Sequence, residues 1–223
     1  MNLNFRHPGI ILAALGLVSG LLGTYVQGPG IGEAPHLGAY MTLTGVWFGL
    51  VVAVGVWVWG TRSAGAAATA LAATWVGWEA AVNVAMQLDQ HLLKAIAIPD
   101  AIIMSVSGIC AGALGAFATW AGAALVTPTL RQTRILLSIV STGALLGSLL
   151  QFSNRCDTAA VLLLPWQIAV ASLLGIGLAL PRQRAIGESL QIFEPEHRAM
   201  AMRILPAGAE VSAVDIPVVR SAT

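Results

Sequence analysis

Charge is what this chain has least of. Asp, Glu, Lys and Arg make up 9% of its 223 residues, against about 25% in a soluble domain. That shortage excludes a conventional water-facing surface. With 57% hydrophobic residues and a mean hydropathy of +0.81, the chain is expected to fold against lipid and between helices. Cysteine is nearly missing too. Cys110 falls inside an apolar run and Cys156 in a short loop, so the two do not make a disulfide framework. A net charge of +1 gives no reason to expect nucleic acid or an acidic partner. The first apolar run also lacks a small-x-small cleavage site, since Leu22-Gly23-Thr24-Tyr25-Val26 supplies none. The basic lead of Arg6 and His7 is therefore read as the start of a retained helix and not of a signal peptide.

What is present is a series of apolar runs. Six are long enough to cross a bilayer, which takes about 20 helical residues: Pro8–Val26, Leu37–Trp59, Ala64–Met86, Pro99–Val126, Arg134–Phe152 and Ala159–Leu180. Proline and glycine punctuate them. Gly28-Pro29-Gly30 separates the first two, Pro99 opens the fourth where no helical hydrogen bond is lost, and Pro181 closes the sixth. The expected fold class is all-α, a six-span membrane bundle followed by a partly disordered cytoplasmic tail from Pro181 to Thr223. Within that tail, Glu194-Pro195-Glu196 can open a short surface helix through Arg203, and no phosphate loop, metal cluster or Ser/His/Asp motif is found.

Arginine sets the orientation. Arg6, Arg62, Arg131, Arg134, Arg182, Arg184, Arg198, Arg203 and Arg220 fall on one side of the alternating loops, and Lys94 and Arg155 on the other. The richer side faces the cytoplasm, so both termini are expected inside a bacterial inner membrane, with Trp57 and Trp59 at the inner interface. Four runs also carry a Gly-x-x-x-Gly pair: Gly16/Gly20, Gly45/Gly49, Gly108/Gly112 and Gly143/Gly147. Small faces of this kind let helix backbones approach closely. They predict a tight bundle and offer surfaces for a homo-oligomer.

The polar residues collect toward the outer end. Glu79 lies in the third run, about 8–12 Å deep at 1.5 Å per residue, where a carboxylate costs about 2–3 kcal/mol or more unless neutral or paired. Trp75, Glu79, Asn83 and Gln87 recur every fourth residue and share one helical face. Glu79 and Asn83 are accordingly the candidate catalytic or solute-responsive residues, in the wall of an outward-facing pocket, and a hydrogen bond from Glu79 to Gln151 or Gln167 is the purely architectural alternative. Glu33, Asp89, His91, Asp100, Arg155 and Asp157 surround the same end. His36, at the start of the second run, is the histidine placed to ligate a metal or haem iron, or to move a proton.

The order of these features carries a resemblance. His36-Leu37-Gly38-Ala39-Tyr40-Met41 opens the second run, Trp75-Val76-Gly77-Trp78-Glu79-Ala80-Ala81-Val82-Asn83 forms the third, and a Gly/Ala-rich fourth follows. Over about Arg6 to Val126 this resembles the styrene-oxide isomerase family, small four-helix membrane proteins that bind haem b and rearrange an epoxide to an aldehyde. The resemblance implies haem b as cofactor, His36 as its axial ligand, and ferric iron as the Lewis acid on the epoxide oxygen. The chain departs from the family at Thr42, where members carry an asparagine six residues after the histidine. It departs again at the acidic Glu79 and in its two extra helices. A transporter or channel using Glu79, and a structural subunit of a larger complex, are the other functions the sequence allows.

Overall fold

Pro8 starts the first helix because its fixed φ suits the first helical turn, where no amide hydrogen bond is needed. The amides of Ile10 and Ile11 close that turn on the His7 carbonyl, at 3.1 and 3.2 Å. The computed structural model describes residues 7–26, 42–92 and 99–180. They form seven α-helical segments: α1 (Pro8–Tyr25), α2 (Thr42–Trp59), α3 (Ala64–Gln87), α4 (Asp100–Val126), α5 (Thr133–Gly147), α6 (Leu150–Arg155) and α7 (Ala160–Leu180). No strand occurs among the described residues.

Local chemistry marks the boundaries. Ser63 accepts the Ala66 amide at 3.4 Å and begins α3. Downstream, α3 loosens into a π-turn, Leu88–Leu92. At the far end of α4, Arg131 donates from Nε to the Ala124 carbonyl and from Nη2 to the Leu125 carbonyl, both at 3.0 Å. A cation there satisfies terminal carbonyls and complements the helix dipole. Trp120 Nε1 donates to Leu130 O at 2.9 Å and ties α4 to the 3-10 turn Pro128–Leu130 that follows.

Each expected run becomes helical with ends within a few residues of the sequence reading, except that the start of the second, Leu37, lies outside the described residues. Four helices are long and apolar enough to cross a membrane: α1, α4, the α5–α6 pair taken as Thr133–Arg155, and α7. The apolar part of α2, Leu43–Trp59, is shorter, and α3 carries Glu79, Asn83 and Gln87 among its alanines. The tail after Pro181, with its expected surface helix, lies outside the described residues.

Consecutive helices α1 to α5 pack as neighbours. α7 then returns among them and is the most enclosed of the membrane-length helices. Its Trp166 ring meets Phe48 of α2 edge-on at 5.3 Å, and its indole Nε1 donates to the Gly143 carbonyl of α5 at 3.2 Å. Leu12, Phe48, Val56, Ile139, Val170 and Leu174 fill the core around it.

The glycine pairs are what let the helices close. A Cβ at Gly16 would run into the Gln167 carbonyl of α7, and one at Gly112 into the Gly143 carbonyl of α5. Gly45 and Gly49 abut Trp78 and Leu71 of α3 in the same way. All four Gly-x-x-x-Gly faces are thus filled within the chain, because bare backbone here is buried best against the neighbouring helix of the same bundle. A homo-oligomer would have to use a different face.

Candidate functional site

Helices α1, α3, α4, α6 and α7, with Gly147 of α5 and the loop before α7, surround a cavity of about 790 Å³. It opens at the end of the bundle where Tyr25, Asp89, Asn154 and Asp157 gather, opposite the end that carries Arg62, Arg131 and Arg134. From Met104 to Gly115 the α4 wall descends about 16 Å at 1.5 Å per residue.

Small residues line it. Along α4 the wall includes Ser107, Gly108, Ala111, Gly112 and Gly115, and α5 adds Gly147; Gly108, Gly112 and Gly147 sit at the close α4–α5 approach. The α5–α6 junction adds irregular backbone. At Ser148 and Leu149 three-residue hydrogen bonds replace four-residue ones (Ser148 N to Leu145 O 3.3 Å, Leu149 N to Leu146 O 3.1 Å), and Ser148 Oγ donates to Leu145 O at 2.6 Å. Non-helical backbone at membrane depth is tolerated where it is buried in protein or lines a cavity. Gly147, Leu150 and Ser153 on either side of the interruption do line this one.

The floor is aromatic. Trp78 of α3 and Trp166 of α7 meet edge-to-face with centroids 6.1 Å apart, and Gly115 leaves room for the Trp166 ring. The bond to Gly143 fixes the Trp166 indole, whereas Trp78 Nε1 is shut from solvent without an acceptor among the described residues. Ser107 of α4 is fully buried, lines the cavity and leaves its Oγ unpartnered. The mouth is polar. Asn154 Nδ2 reaches Met104 Sδ at 3.1 Å, joining α6 to α4. Ser153 Oγ donates to Thr158 O at 2.8 Å and holds the loop that presents Asp157 in a left-handed conformation, φ 49°.

The residues marked from sequence stand apart from this cavity. α3 turns Trp78, Ala81, Val82, Ala85, Met86 and Asp89 into it. Glu79 is rotated about 100° from Trp78, so the Trp75–Glu79–Asn83–Gln87 face is the flank of the helix and Trp75 and Gln87 are exposed. Asn83 is accounted for locally: its Nδ2 donates to the Glu79 backbone carbonyl at 2.8 Å. Both Glu79 carboxylate oxygens are shut from solvent with no partner among the described residues. The alternative bond from Glu79 to Gln151 or Gln167 forms with neither: both Glu79 oxygens are without a partner among the described residues, and Gln167 is sealed beside α1 with neither amide atom paired. Asp89 and Asp157, counted in sequence only as part of the outer polar set, both reach the mouth. Trp78, Trp166 and Ser107 carried no sequence argument, although two tryptophans set in mid-span and not in the interfacial belt were a usable signal.

No family model matches the chain, and no curated protein or solved structure matches it.

No group of three His, Cys, Asp or Glu side chains able to hold a metal ion occurs among the described residues. Toward haem, the described lining offers the thioethers of Met86 and Met104, no imidazole, and two aspartates where propionates need cations. The described lining does not fit that group. His36, which the resemblance would make the axial ligand, lies outside the described residues. Cys110 and Cys156 are free and exposed.

Proposed function

We propose that this chain is a six-span protein of a bacterial cytoplasmic membrane, with both termini inside, that binds a small solute from the outer side and moves it across. Six helices alternating in direction, with arginine gathered at one end, support the topology. The observation that carries the function is the cavity of about 790 Å³, open at the arginine-poor end and walled by an interrupted helix. Transporter sites lie beside discontinuous helices, because the interruption frees backbone groups to bind substrate or ion. Glu79 is the coupling residue in this reading, its buried and unpartnered carboxylate serving as the site for a proton or cation.

Uptake by the purified chain in proteoliposomes tests it. Glu79→Gln is expected to abolish solute uptake while leaving equilibrium binding in the cavity; uptake at the parental rate would remove Glu79 and the coupling with it. The haem-dependent epoxide isomerase reading predicts a Soret band that His36→Ala removes, and finding one would replace transport with that chemistry.

A further inference from the structure

We propose that the cavity takes an amphiphilic organic cation, its apolar or aromatic body on the tryptophan floor and its ammonium head among the mouth aspartates. This rests on the reading of the cavity as a solute site and adds the chemical class.

The sign comes from the mouth. Asp89 and Asp157 line it, and no Lys, Arg or His stands among the described lining residues. Of the basic residues near them in sequence, Arg155 has its guanidinium carbon 5.9 Å from the centroid of the Phe152 ring, His91 is exposed and not in the lining, and Lys94 lies outside the described residues. An anion entering here would meet two carboxylates and no described counter-charge. A cation would meet both, in a cleft whose low-dielectric walls strengthen the attraction.

The body comes from the floor. Trp78 and Trp166 present indole surface enclosed by helix backbone, and an indole face attracts an organic cation as well as an aromatic ring. Trp166 cannot turn away without losing its bond to Gly143.

A purely apolar occupant such as a lipid chain fits less well. It would leave Asp89 and Asp157 at the mouth without a counter-charge.

The test titrates the detergent-purified full chain with benzyltrimethylammonium, with its uncharged isostere neopentylbenzene, and with benzenesulfonate, following tryptophan fluorescence. The cation is expected to give a saturable change, at least tenfold tighter than the isostere, with benzenesulfonate silent. Asp89→Asn and Asp157→Asn, at exposed or half-buried positions, should each weaken the cation by about tenfold and leave the isostere unchanged. Ala111→Phe, which projects a ring into the cavity, should weaken the response to every probe. Equal binding of cation and isostere, or indifference to both aspartate changes, overturns the cation while the cavity stands. Cation and isostere binding both left at the parental affinity by Ala111→Phe lies outside the cavity and overturns the site itself. No response to the cation overturns the proposal outright.

Discussion

The two ends of this bundle are built from the same helices and pack in opposite ways. Toward the arginine-rich end, Leu12, Val51, Val56, Leu130, Leu174 and Leu178 close around a void of about 10 Å³, no more than the smallest space that holds a water. At the other end the helices enclose about 790 Å³. Helix directions do not explain the contrast, because α4, α5 and α7 run through both halves. Side-chain size at facing positions does. In the closed half, branched apolar residues meet one another, as in Leu12 against Val56 and Leu178. In the open half the lining is small: Ala81, Ala85, Ala111 and Ala159 stand beside glycines that lie in the α4–α5 seam. Lipid gives no hydrophobic drive to collapse that space, since hydrocarbon outside is as apolar as the wall. Dispersion contacts then decide, and residues without side chains have few to offer.

If this contrast is right, substitutions should divide by half. Phe48→Ala removes a fully buried ring from the packed middle, against Trp166. It should lower unfolding stability by about 3 kcal/mol, the low end for such truncations, because lipid accepts the displaced surface. Thermal unfolding of the detergent-solubilised protein measures it, and a loss under 1 kcal/mol would deny close packing there. Gly16→Leu should cost about 2–3 kcal/mol, because its side chain meets the backbone of Gln167. Ala111→Leu makes a comparable increase in size on the cavity wall and should cost less than about 1 kcal/mol, since the new methyls enter open space. Equal penalties for Gly16→Leu and Ala111→Leu in one denaturation series would erase the distinction between the halves. Gln167→Leu goes the other way. Its amide is buried with neither atom paired among the described residues, so an apolar replacement should leave stability unchanged or raise it by about 1 kcal/mol. A clear drop would reveal a partner for that amide.

The helices were legible because their punctuation is local. Pro8, Ser63, Pro99 and Pro128 act on their own turns, and apolar run length needs no tertiary knowledge. The glycine pairs were legible as places of close approach, but which helix approaches is a matter of packing. Gly108 and Gly112 could have faced another copy of the chain and instead face Gly147 and Gly143. An outward-facing pocket was expected, but its lining was not legible, because the cavity is a deficit of volume shared among several helices and no single segment records it. Glu79 shows the limit most plainly. The penalty for a carboxylate in a membrane correctly marked it as unusual, and both oxygens are indeed enclosed. Depth alone carries no direction, however, and one residue of helical rotation gives Trp78 the cavity and Glu79 the flank.

The central claim is that the arginine-poor half is open to the outside and the other half is not. Single cysteines at Ala111 and Ala123 on α4, introduced after Cys110→Ala and Cys156→Ser remove the native thiols, test it in intact cells with a membrane-impermeant maleimide. Ala111→Cys, on the cavity wall, should label, and Ala123→Cys, in the closed core, should remain unlabelled until the protein is denatured. Labelling of Ala123→Cys, or protection of Ala111→Cys, would contradict it.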